Sequence, residues 1–324
     1  MMNPRQNTLE TIYGGKPEYV PIFWDSISPV GVLANGLEMP AQNGPDAFGV
    51  PWVVTTEGAM PQPGFVMFED IEDWEKYVKI PNIDDFDFKA MLEMEKTIMP
   101  PQDRENRVMQ FMDSGGIFDR LVALMGFENA LCALAIDPDT CMDFFEALTD
   151  FRVKFIERCI DVFNPDIYCI GDDVATSKDL FMSPETYRKV IKPFDARMAE
   201  VVRKRGVILE RHCCGKCEEL VPDFVEMGVQ VWQSAQPMND IAGILDKYKG
   251  KLAIEGGWDS SGPASYSDST DEDVRAEIRR CLTEYKKPGM MLWPLLYNEQ
   301  GNAMMVGDRR LPALMDEWNK YRFF

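Results

Sequence analysis

The chain has 324 residues, 45% hydrophobic and 27% charged, with one histidine, eight cysteines and a formal net charge of −20. That is enough to bury a sizeable core, as one large barrel or two ordinary domains. The acidic balance argues against nucleic acid and anionic membrane as partners, because both are gripped by basic faces.

Strand-length apolar runs and amphipathic helical stretches alternate along most of the chain. The opening MMNPRQNTLETIYGG lacks the basic-then-apolar pattern of an export signal, and no apolar run approaches the ~20 residues that cross a bilayer, so a cytoplasmic location is expected. Residues 1–105, rich in Pro and Gly, read as an N-terminal extension with the first strand at 20–25, and 106–324 as the main barrel. Further strands are predicted at 107–113, 166–172, 207–213, 229–234, 251–256 and 290–296. Several are apolar on both faces, as parallel strands covered by helices are. Asp137-Pro138 opens a helix whose Phe144, Phe145, Leu148, Phe151 and Phe155 recur at core spacing. Ser183-Pro184-Glu185 is a Ser cap with Pro at the first helical position, running to about Lys204 and stopped by Gly206. A helix with a charged face follows at 271–285, and one at 312–321 closes the pattern.

This alternation restricts the fold to an open doubly wound sheet or a closed barrel. No Gly-x-Gly-x-x-Gly follows a strand, which disfavours a dinucleotide fold. Asp113, Asp172, Asp173, His212, Cys214, Gln233, Glu255, Asp259, Asn298 and Glu299 fall at or just after predicted strand ends. In a (β/α)8 TIM barrel those positions converge on one rim, where active sites of this fold lie.

The segment LERHCCGKC (209–217) holds the only histidine and three of the cysteines. On a continuing strand, His212 and Cys214 share a face because side chains repeat every two residues. Imidazole plus thiolate is a donor pair that suits zinc. Cys213 then points to the helix side, with Cys217 one short turn away. A catalytic zinc takes three protein ligands, and spacing does not choose among Glu299, Glu255, Asp173 and Cys217 for the third. The other cysteines read as reduced packing residues. A nucleophilic cysteine is disfavoured, since no second histidine could serve as its base.

The motifs DAFGVPW (46–52), GDD (171–173), LFMSPETYRKV (180–190), RHCCG (211–215) and KLAIEGGWD (251–259), in this order, resemble the uroporphyrinogen decarboxylase superfamily, and within it the corrinoid-dependent methyltransferase branch. The resemblance implies a (β/α)8 barrel. Decarboxylases of the superfamily carry an N-terminal arginine segment that grips substrate carboxylates; VPIFWDSISPV (20–30) has no arginine, which argues against porphyrinogen chemistry. For the methyltransferase branch the resemblance implies zinc held through His212 and Cys214 with a cysteine late in the chain. Residues 290–308 contain none, so Glu299 or another oxygen ligand is expected instead, with Cys217 and Glu255 as alternatives.

The expected function is zinc-dependent methyl transfer from a methoxylated, aromatic substrate to the cobalt of a corrinoid carried by a partner protein that docks transiently. Asp172, Asp173 and Glu299 are candidate catalytic groups, and Trp24, Met112, Trp232 and Trp293, with Phe23, candidate substrate contacts. A homodimer is compatible with this reading. The competing readings are transfer from methylcobalamin to a thiol of the coenzyme M type, decarboxylation of a small acid or porphyrinogen, and corrinoid or metal storage without catalysis.

Overall fold

The computed structural model describes residues 2–55, 58–297 and 307–324. Among them, seven parallel strands form one curled sheet in chain order: β1 (Ile27–Val30), β2 (Val108–Asp113), β3 (Ile167–Gly171), β4 (Ile208–His212), β5 (Val231–Ala235), β6 (Ala253–Gly256) and β7 (Met290–Leu292). The curl brings the last strand back to the first: Leu292 pairs in parallel with Ile22, and its N–H donates to the Pro21 carbonyl at 2.8 Å. Helices cover the outside, which makes this a TIM-barrel-type α/β fold.

The six later strands fall within a residue or two of expectation at most ends, except that β7 stops at Leu292. The first departs from it. Residues 20–25 do not form one strand. Ile22 bridges to β7, Phe23–Ser26 makes a single helical turn, and the ladder to β2 starts only at Ile27. The turn carries the chain from one neighbour to the other, and Phe23 enters the apolar cluster in the barrel interior.

Strand alternation sorts the inward side chains into layers. Val108, Ile167, Ile208, Val231 and Ala253 form an apolar floor, closed from below by Ile12 of the helix Pro4–Ile12. The next inward positions are Gln110, Cys169, Glu210, Gln233 and Glu255, all buried. Above them stand Met112 and His212. An apolar floor, a hydrogen-bonded polar middle and an open top aim the chemistry at the C-terminal ends of the strands.

Outward positions pack under the helices. Pro138–Phe163 buries Phe144, Phe145, Leu148, Phe151 and Phe155, the stripe expected from its spacing, and ends at Asn164 in the left-handed conformation (φ 45°). The helix beginning at Pro184 widens into a π turn over Tyr187–Ile191 before continuing as Lys192–Lys204. Pro193 follows directly and has no N–H to give to the regular ladder.

Gly44–Pro45, Pro51–Thr55 and Gly58–Pro61 form a three-stranded antiparallel flap beside the barrel mouth. The DAFGVPW motif is what holds it. Asp46 Oδ1 accepts the N–H groups of Phe48 and Val50 at 2.9 Å each, and Asp46 Oδ2 accepts the Trp52 indole N–H at 2.9 Å and pairs with Arg120. Arg120 reaches Glu38, Glu38 pairs with Arg152, and Arg152 pairs with Asp113, whose other oxygen accepts Tyr168 O–H at 2.6 Å. All five charged members of this chain are at least 90% buried. Breaking such a network leaves an unpaired buried charge.

Among the described residues, no helix is long and apolar enough to cross a membrane.

Candidate metal centre and substrate cavity

His212 ends β4 facing inward, and the chain continues extended far enough to place Cys214 on the same side. Cys214 Sγ lies 3.4 Å from His212 Nε2. Gly215 then turns the chain at φ +84°, where a Cβ would sit 2.5 Å from the Thr176 carbonyl, so only glycine fits. Asp173 comes in from the end of β3. Its Oδ1 accepts the Cys214 N–H at 2.7 Å and stands 3.8 Å from His212 Nε2. One ligand atom from each of Asp173, His212 and Cys214 falls within 4.8 Å of the others.

The rest of the shell fixes the histidine. Gln233 Nε2 donates to Glu255 Oε2 at 2.7 Å, because a carboxylate can only accept from it. That turns Gln233 Oε1 to His212 Nδ1 at 2.8 Å, so Nδ1 carries the proton and Nε2 offers its lone pair to the cluster. Below, Gln110 Nε2 donates to Glu210 at 2.6 Å and to Glu255 at 3.2 Å. Burial, then the neighbouring Glu255 charge, pushes Glu210 well above its ordinary value. Burial raises Glu255 as well, but its hydrogen bonds to Gln233, Glu210 and Gln110 work against that, so Glu210 is the member of the pair that holds a proton more tightly. A carboxylate–amide–imidazole relay of this kind is how metal-binding histidines are oriented and made more basic.

The donor set fits zinc: one imidazole nitrogen with its tautomer fixed, one sulfur and one carboxylate oxygen on adjacent strand ends, with Asp173 and His212 also lining a cavity. Burial, then the Asp173 charge, pushes the Cys214 thiol well up. A cation is what would convert such a thiol to the thiolate, with release of a proton.

Among the described residues, Asp173 is the expected third ligand that joins the cluster. Glu255 lies one layer down behind Gln233. Cys217 is buried with its thiol toward the Cys213 carbonyl at 3.7 Å. Glu299, with Asn298, lies outside the described residues.

Above the cluster opens a cavity of about 550 Å³. Its floor includes Met112, Gly171, His212 and Trp293; one wall is Pro29, Val30, Val32, Asn35 and Met39; the flap contributes Trp52 and Gly58 to Pro61. Ser114, Asp119, Val122, Asp172 and Asp173 complete it. Met112 and Trp293 therefore stand where a substrate would meet them, with Trp293 edge-on to the His212 ring at 5.8 Å. Trp24 and Phe23 instead border a separate hollow of about 300 Å³ near Met99 and Arg107. Trp232 is on the outward face, fully buried against Phe224, its indole N–H donating to the Cys213 carbonyl at 3.3 Å. Neither tryptophan lines the cavity.

Asp172 touches the edge of the cavity, but its carboxylate turns to the covering helices. It caps the helix Ile117–Met125, accepting the N–H groups of Phe118 (3.2 Å) and Asp119 (2.8 Å), and lies 3.8 Å from Arg211, which pairs with Asp195 at 3.0 Å. Burial raises Asp172 to about 7 against those partners. Gly116 permits the close approach, since a Cβ there would stand 2.2 Å from Asp172 Oδ1. Asp113 belongs to the buried ion-pair network and Asp259 to the loop before Ser261.

Asp119 is the residue that sequence reasoning missed. It stands in the first turn of Ile117–Met125 with its side chain at the cavity, and Oδ2 accepts the Asp173 N–H at 3.0 Å. Burial, then the charges of Asp172 and Asp173, pushes it well above the carboxylate range. It is therefore an acid in contact with the cluster whose surroundings favour its protonated form. Its helical position offered no signal beyond an acidic residue early in a helix.

Fold and site together define a TIM-barrel protein with a mixed nitrogen, sulfur and oxygen centre at its strand ends. Residues 43–292 match the family model described as uroporphyrinogen decarboxylase (URO-D), and the chain belongs to that family. Among solved structures it is similar to a methyltransferase from Methanosarcina mazei, at 13% sequence identity, with a TM-score of 0.64 over 99% of this chain and 99% of that one; at this identity the likeness is one of fold. No curated protein matches the chain.

Proposed function

We propose that this protein is a methyltransferase that takes the methyl group of a methoxylated, aromatic donor and delivers it to the cobalt(I) of a corrinoid held by a separate protein. The observation that carries this is the convergence of Asp173, His212 and Cys214 on one point at the floor of a largely apolar cavity. Aryl ethers are poor methyl donors because the leaving oxygen is basic; zinc held by the three residues would supply Lewis acidity toward that oxygen.

The chain's own groups do the remainder. Gln233 and Glu255 hold His212 in the ligand tautomer. Trp52, Met112 and Trp293 exclude water around the donor's apolar body. Cobalt(I) attacks the methyl carbon, the C–O electron pair stays with oxygen, and Asp119 delivers its proton there, so that a phenol leaves. The acceptor protein is met at the rim, through a transient surface to which the strongly acidic character of this chain can contribute steering.

The test is spectroscopic. Zinc-loaded protein, cob(I)alamin and an aryl methyl ether should give the absorbance of methylcobalamin, and His212→Ala and Cys214→Ser should each abolish the conversion while leaving the far-UV dichroism of the barrel intact. Full turnover by either variant, or by protein stripped with a chelator, would contradict the proposal.

A further inference from the structure

An anion bound at a barrel rim needs a lysine, an arginine or a free helix N-terminus. None of the described residues lining this cavity is a lysine or an arginine. The helix N-terminus that faces it, at Ile117, is already occupied, since Asp172 takes the N–H groups of Phe118 and Asp119. The buried guanidinium of Arg211, behind Asp172, is neutralised by Asp195 and Asp172, and those of Arg120 and Arg152 are paired with Asp46, Glu38 and Asp113. A divalent ion at the floor adds no net positive charge, because the Cys214 thiolate and the Asp173 carboxylate balance it.

A donor carrying a carboxylate or sulfonate would thus lose its hydration and meet apolar groups, acids and the neutral side chains of Asn35 and Ser114, with no cationic side chain to balance its charge. We infer that the cavity selects a methyl donor without negative charge, an uncharged aryl methyl ether, and turns away its carboxylated counterparts. The inference rests on the methyl-transfer reading for the nature of the ligand, but concerns binding alone.

An isosteric pair tests it: 3-methoxybenzamide and 3-methoxybenzoate, titrated at pH 7.5 into zinc-loaded protein by calorimetry, with tryptophan fluorescence reporting on Trp52 and Trp293. The amide should bind roughly 100-fold more tightly than the acid, the factor expected when a charged group is left without a partner. Met60→Arg, on the exposed edge of the flap that lines the cavity, should narrow the gap to within about tenfold by supplying the missing cation. Equal or tighter binding of the acid to the unaltered protein overturns the inference, as does a gap that Met60→Arg leaves unchanged, or failure of both ligands to bind. Methylation of cob(I)alamin is read separately, so a protein that prefers the amide yet transfers no methyl contradicts the proposed function and not the charge selectivity.

Discussion

Replacing Gln233 by leucine isolates the histidine-orienting relay from the ligands themselves. The side chain is fully buried and of similar length, so the substitution removes two hydrogen bonds without opening a large void. His212 Nδ1–H loses its acceptor at 2.8 Å, and Glu255 loses its shorter donor at 2.7 Å, retaining Gln110 at 3.2 Å. Hydrogen bonds to a charged group contribute about 1.5–3 kcal/mol, and an unsatisfied buried donor costs a similar amount, so metal-free stability should fall by about 3–6 kcal/mol. Zinc affinity should fall by about 10–100-fold, because the imidazole is then free to rotate or to change tautomer. Chelator competition reads the affinity, and denaturant melts of the metal-free protein read the stability. Zinc affinity unchanged in a folded Gln233→Leu protein would refute the view that this amide fixes the ligand nitrogen.

Other perturbations separate the ligands from their neighbours. Asp173→Asn keeps an oxygen to accept the Cys214 N–H but loses the charge, and should lower zinc affinity at least about tenfold by the same competition assay, whereas Cys217→Ser should leave it unchanged. Arg152→Leu strands Glu38 and Asp113 in the interior and should cost about 3–5 kcal/mol in a urea melt. Gly116→Ala forces the first turn of Ile117–Met125 away from Asp172 and should lower the thermal midpoint; an unchanged melt would show that the contact yields easily. Near the barrel floor, burial would raise Asp166, but the bidentate Arg5 and the Met109 N–H hold it below its ordinary value. A carboxylate with a depressed folded-state pKa contributes its stability above the unfolded value and loses it as pH falls through the folded one. Wild type should therefore lose more stability than Arg5→Ala on acidification below about pH 4.

The legible part of the fold was its periodicity. Runs that are apolar on both faces announce parallel buried strands, and six of the seven strands lie where those runs are. The break at Phe23–Ser26 was invisible because it serves two different neighbours, a tertiary demand with no local signature. At the site, the rule that placed His212 with Cys214 also separates the remaining candidates when applied to every strand. Counting by twos from the floor residues brings Met112, Asp173, Gln233, Glu255 and Trp293 inward, and sends Asp113, Asp172 and Trp232 out to the helices. Proximity to a strand end, without parity, mixed the two sets. The flap was illegible for another reason: DAFGVPW acts through Asp46 and Arg120, whose partnership crosses more than seventy residues. Asp119 gains its proton affinity only from burial beside Asp172 and Asp173, which no linear spacing encodes.

X-ray absorption at the zinc edge, on protein loaded with one equivalent, tests the metal centre most directly. Ligation by Asp173, His212 and Cys214 predicts a single sulfur at about 2.3 Å with nitrogen and oxygen neighbours at about 2.0–2.2 Å. A spectrum without sulfur, or with two sulfur neighbours, would contradict it.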